Sequence, residues 1–207
     1  MSGAGIRPAR NRAFRVPRGA AAGATLAALL AASSVAGAVP PAVGDAVDPG
    51  RSGVDFTLKT RWGQTLDGRM PVIAGEVATL ADGRRQVWLS LSARDVEIID
   101  HRNYTRLTRG KGFFDAERWP RISFRSDPFD PALLRHGGAL GGELGIRGVH
   151  RRETFEIAPA GCVRPLRDCE VQGGGAVRRG DYGLDRWSVA LSEIVQLSLL
   201  IRIRDDE

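Results

Sequence analysis

The run from Val195 to Arg204 places Val195, Leu197, Leu199, Ile201 and Ile203 on one parity. Gln196, Ser198, Leu200, Arg202 and Arg204 fall on the other. Successive side chains of a strand point to opposite faces, so this pattern describes a strand of about nine residues with one apolar face and one mostly polar face. The same alternation sets Val87, Leu89, Leu91 and Ala93 against Trp88, Ser90, Ser92 and Arg94. The parity shifts near Asp95, because Val96 and Ile98 are even, and such a shift predicts a bulge. Shorter pieces repeat the pattern: Val54, Phe56 and Leu58; Ile122 and Phe124; Phe155 and Ile157. Trp62 continues the even parity of the first of these through Thr60.

Asp82-Gly83, Gly137-Gly138, Arg147-Gly148 and Gly173-Gly174-Gly175 read as turns between the strands. Only residues 101–110 read as a helix. Asp100 is placed to cap its start, Tyr104 and Leu107 share a face, and Gly110 is placed to end it. One short helix among many antiparallel strands is an all-β architecture, and closing the sheet into a barrel removes its exposed edges.

The formal charge of +6 suggests a nucleic-acid partner only until the charge is located. Arg7, Arg10, Arg12, Arg15 and Arg18 precede any acid, which leaves the chain beyond residue 38 at +1. A near-neutral body lacks the electrostatic footprint that phosphate binding requires, so no nucleic acid is expected. Residues 19–44 then run uncharged, rich in Ala and poor in stronger apolar residues. A spanning helix needs roughly 20 strongly apolar residues, so this stretch is weak as an anchor. The basic start, short apolar run and Ala36-Gly37-Ala38 fit a secretory signal cleaved after Ala38, with residues 39–52 a flexible lead-in to a domain over 53–207. In an oxidising compartment Cys162 and Cys169, seven apart, are expected to pair and close a loop.

No nucleophile elbow, zinc-protease helix or phosphate loop occurs. His101, His136 and His150 fall on expected turns and a helix start, and no metal set is apparent. Arg179 and Asp181 are expected to form a charge pair on one strand face. Phe113 and Phe114, just after the helix, are placed to plug or cap the barrel.

The stretch Leu107–Ser126 resembles the YceI-like family, whose pattern has a leucine, then Phe-Phe-Asp, a proline five residues on, and Phe-x-Ser. Phe113-Phe114-Asp115, Pro120 and Phe124-Arg125-Ser126 carry that likeness. Three further pieces follow in the family's order: Gly142-Glu143-Leu144-Gly145-Ile146-Arg147-Gly148-Val149, Arg179-Gly180-Asp181-Tyr182-Gly183, and Glu193-Ile194-Val195-Gln196-Leu197. Two departures stand out. Thr60-Arg61-Trp62-Gly63 lies where members commonly carry a histidine, and Gly145 replaces a threonine.

The resemblance implies an eight-stranded antiparallel lipocalin-like barrel, periplasmic or secreted, with one short helix in a connecting loop. It also implies an amphipathic isoprenoid lipid, of quinone or polyprenyl type, held in the interior, with no catalytic residues and no cofactor. The inward-facing residues expected to meet it are Phe56, Leu58, Trp62, Leu89 and Leu91 in the first half. In the second half they are Phe113, Phe114, Phe124, Phe155, Ile157, Tyr182, Leu197, Leu199 and Ile201. By pattern alone, without the resemblance, the same residues read first as packed core, which would make the chain a filled barrel serving as a stress-response or interaction module. An enzyme acting on the bound lipid is a third reading. A homodimer through an outer face stays open, since no apolar stripe singles one out.

Overall fold

The computed structural model describes residues 44–205; the leader and its cleavage site lie outside the described residues. Strands β1 (Gly44–Ala46), β2 (Gly53–Thr60), β3 (Thr65–Thr79) and β4 (Arg85–Ser92) come first. The short β5 (Glu97–Ile98) and helix α1 (Arg102–Arg109) follow. Then come β6 (Arg121–Ser126), the four-residue helix α2 (Leu133–His136), β7 (Gly138–Ile146) and β8 (Val149–Ile157). The chain finishes with β9 (Val171–Arg178), a 3₁₀ turn over Arg179–Tyr182 and β10 (Leu191–Ile201). The hydrogen-bonded order β3-β2-β10-β9-β8-β7-β6-β4 returns to β3, closing eight antiparallel strands into a barrel.

The length of β3 makes the closure. Its first half, Thr65–Pro71, pairs with β2, and its second half, Val72–Thr79, pairs with β4. A register shift between Val72 and Ala74 bends the strand where it changes partners. The expected bulge near Asp95 is instead a strand end: the chain leaves β4 after Ser92 and re-pairs through β5 with Gly68 and Arg69 of β3. Arg147 and Gly148, both at positive φ, form a two-residue turn joining β7 to β8. A Cβ on Gly148 would lie 2.6 Å from the Trp119 ring, so turn geometry and packing both require glycine there.

Three further expectations are corrected. The lead-in does not run to residue 52: Gly44–Ala46 pairs with Glu76–Ala78, and Val47 is 2% exposed and bridges Ile203. Asp100 does not cap α1, since His101 is the N-cap and makes no side-chain cap bond. The helix is held by Thr105, whose Oγ1 accepts from the Ile98 N–H and donates to the Ile98 carbonyl. The three glycines at 173–175 make no turn. They lie inside β9, paired with Leu199, Ser198 and Leu197 of β10.

One end of the barrel is closed. Val47, Phe129, Leu134, Leu140, Leu166, Val171, Ile201 and Ile203 are all buried there. Cys162 and Cys169 are joined, and their loop inserts Leu166 into this end. The Leu166 N–H donates to the Cys169 carbonyl, and the Leu166 carbonyl accepts from the Ile203 N–H. A disulfide fits an oxidising compartment. Because the closed loop is short, replacing both cysteines by serine should lower stability by roughly 2.5 kcal/mol. Denaturant unfolding of the two forms measures this, and the open end should keep its structure.

Candidate functional site

Inward faces of the strands leave a cavity of about 350 Å³ in the barrel, lined almost wholly by apolar side chains. That falls within the roughly 300–1,000 Å³ typical of ligand pockets. It opens at the end opposite the disulfide, where the β2–β3 turn, α1, the 110–120 loop and the 183–190 loop meet.

An eight-stranded barrel is just wide enough to fill itself or to hold one slender ligand, and glycines decide between the two here. Gly68, Gly142, Gly173 and Gly175 share strand faces with inward-pointing residues. A Cβ on Gly68 would lie 2.2 Å from the Phe56 ring, and one on Gly142 would lie 2.6 Å from Phe124. On Gly175 it would lie 2.7 Å from Phe155. Each phenylalanine therefore lies down against the wall over a glycine instead of standing into the centre. Phe124 and Phe155 also meet edge to face, with ring centroids 5.2 Å apart. Val195, Leu197 and Leu199 face inward from β10 and stay only half-buried, because their β9 neighbours include Gly173 and Gly175.

Of the expected interior residues, Phe56, Leu58, Leu89, Leu91, Phe124 and Phe155 line the walls, as do Leu197 and Leu199. Phe113, Phe114 and Tyr182 line the cavity nearer its mouth. Trp62 is 79% exposed: β2 ends at Thr60, so the indole stands on the rim and not within the lumen. Ile157 and Ile201 do not line the cavity. They sit at the closed end of their strands, where Ile157 packs over Gly173 and Ile201 is buried. Alternation alone missed Leu66, Met70, Leu144 and Ile146, which also line the lumen. The inward parity of β3 and β7 carries them, but Gly68 and Gly142 interrupt the apolar pattern. Tyr104, Leu107 and Trp187 complete the mouth from α1 and the 183–190 loop.

The mouth is framed by a buried arginine. Arg179 is 3% exposed and donates to the carbonyls of Ser192 at 2.7 Å, Arg186 at 3.0 Å, Leu191 at 3.4 Å, and Leu184. Its ionic partner is Glu193 at 3.6 Å, which corrects the expected pair with Asp181. The chain turns into a 3₁₀ helix at Arg179, so these two residues never share a strand face. Tyr182 fills the space where β8 and β9 part, since those strands pair only at Glu156–Gly174 and Ile157–Gly173. Its hydroxyl donates to Glu153 Oε1 at 2.7 Å. Burial first, then the Glu153 carboxylate, pushes the Tyr182 phenol far above its usual range, so it remains a neutral donor.

This arrangement suits holding an apolar chain by burial and dispersion. The three histidines stay apart: His101 sits at the N-cap position of α1, His136 ends α2 at the closed end, and His150 faces outward beside Glu143 at 3.1 Å. The cysteines are bound to each other, so the described residues bring no nucleophile and base together in the lumen.

Comparison with known proteins fits this geometry. The model of the YceI-like domain matches residues 46–203. The crystal structure of Burkholderia cenocepacia BcnA is similar at 17% identity and TM-score 0.59, covering 75% of this chain and 98% of that one. A polyisoprenoid-binding domain from Saccharophagus degradans, implicated in plant cell wall breakdown, is similar at 12% identity and TM-score 0.54. That match covers 77% of this chain and 97% of the other. No curated protein matches the chain. The family match spans the whole barrel, from the end of β1 to the last bridge at Ile203, and the chain belongs to the YceI-like family.

Proposed function

We propose that this protein is an exported, non-enzymatic carrier that sequesters a long-chain polyisoprenoid of quinone or polyprenyl type, with its tail in the barrel and its headgroup at the mouth. The observation that carries the reading is the apolar cavity of about 350 Å³, closed at one end and open at the other. A lumen kept open by phenylalanines lying over glycines favours a ligand over a filled interaction module. The Saccharophagus degradans relative is described as binding a polyisoprenoid, and the lumen here has the chemistry for that class. Export rests on the expected leader over residues 1–38 and on the disulfide, which an oxidising compartment maintains.

Trp62 and Trp187 at the mouth supply the test. A quinone with a long isoprenoid tail should quench tryptophan emission saturably at one site per chain. A quinone of the same ring without the tail should quench only by collision, because burial of the tail carries the affinity. Equal quenching by both, with no saturation, would overturn the reading.

A further inference from the structure

We propose that the open end of the barrel docks on an anionic lipid bilayer. The proposal goes beyond the carrier reading, because it concerns what the rim around the mouth meets and not what the lumen holds. Six of the eleven large apolar side chains exposed among the described residues lie at this end: Trp62, Ile99, Tyr104, Leu107, Trp187 and Val189. Exposed apolar groups gathered in one place mark an interaction surface. Tryptophan and tyrosine beside aliphatic residues suit the headgroup level of a bilayer, where an apolar body and a polar tip are both satisfied.

Charge identifies the surface. The segments at this end (60–65, 93–121, 147–148 and 178–191) hold twelve Lys and Arg against seven Asp and Glu. The described segments at the closed end (44–52, 79–86, 127–137, 158–171 and 202–205) hold eight against eight. Pairing follows the same divide. At the closed end Arg51, Arg84, Arg164, Arg167 and Arg202 each form an ion pair. At the open end only Arg179 does, among the described residues. There Arg61, Arg109 and Arg147 donate instead to carbonyls of Ser188, Val96 and Gly183, which leaves their charge uncompensated. A rim of unpaired cations around exposed aromatics complements an anionic membrane surface. A second copy does not fit, because it would bring two net-positive rims face to face.

The test uses residues of the rim that do not line the cavity. Arg102, Arg186 and Val189 are all exposed and absent from its walls. Protein from the exported fraction should co-sediment with vesicles of phosphatidylethanolamine and phosphatidylglycerol, and far less with phosphatidylcholine alone. Binding should weaken as salt rises toward about 0.5 M. Removing a basic charge should cost about fivefold, so Arg102→Glu with Arg186→Glu should lose at least about 25-fold. Val189→Asp, which leaves both arginines in place, should also weaken binding. Thermal melts and the quinone titration should be unchanged in all three substitutions. Sedimentation scores docking whether or not the lumen takes a ligand, so the two proposals fail separately. Equal binding to both vesicle types, or variants that bind like the parent, would overturn the docking surface. So would a dimer in solution that the charge reversals dissolve.

Discussion

Replacing Arg179 with methionine should lower the barrel's stability by about 3 kcal/mol, which for a domain of this size is a fall of roughly 6–12 °C in Tm. The guanidinium holds four carbonyls, of Leu184, Arg186, Leu191 and Ser192, from a position 3% exposed. Methionine fills much of the volume and leaves those acceptors without a donor, together with Glu193 without its cation. Water entering from the mouth recovers part of the loss, so the cost stays below what four fully orphaned groups would give. The opening should be local. Hydrogen exchange should rise over 183–191 and remain slow at the closed end, where the disulfide and Leu166 hold the chain. Lysine keeps the charge but cannot fork to four acceptors, so Arg179→Lys should recover less than half of the stability. A methionine variant that melts within about 2 °C of the parent would show that the clamp contributes little.

Leu199→Phe should leave stability nearly unchanged and abolish tail-dependent quinone binding. In a filled core the added volume forces strain of about 1–3 kcal/mol. Here Leu199 is half-buried and lines the cavity, so a ring has open lumen to extend into. That ring then occupies space needed by the ligand. Ser198 on the outer face is the control, and Ser198→Phe should leave binding intact. Calorimetric melts beside the quinone titration separate the two effects. A large loss of stability in Leu199→Phe, with no binding in the parent, would return the chain to the filled-barrel reading.

Where the period-two pattern was strong, the sequence was a sufficient guide. The alternation at 195–203 marks which face of β10 is apolar, and its odd residues face inward. Phe113 and Phe114, placed by their position just after the helix, line the cavity nearer its mouth, as does Tyr182 of the family-like Arg179–Gly183 piece. What stayed hidden shares one cause. A glycine in a strand looks like punctuation along the chain, yet Gly173 to Gly175 lie mid-strand, and the missing side chain of Gly175 is what lets Phe155 lie against the wall. The interruptions at Gly68 and Gly142 concealed Met70 and Leu144 in the same way. Trp62 followed the parity of β2 correctly, but the strand ends two residues earlier, and parity carries no meaning beyond a strand's end. Arg179 was legible as a charge but not as a clamp, because its carbonyl partners come from a loop whose path the local pattern does not encode. Val47 falls within the expected lead-in, since a three-residue strand beside it leaves too little alternation to detect.

The carrier reading is tested most directly by extracting the purified protein with organic solvent and weighing what comes out by mass spectrometry. Purification without detergent keeps a lumen ligand in place, because leaving it would expose the isoprenoid tail and the apolar walls to water together. The account predicts a long-chain isoprenoid at close to one molecule per chain, depleted in the Leu199→Phe protein purified alongside. An extract no richer in isoprenoid than that of the Leu199→Phe protein would contradict it.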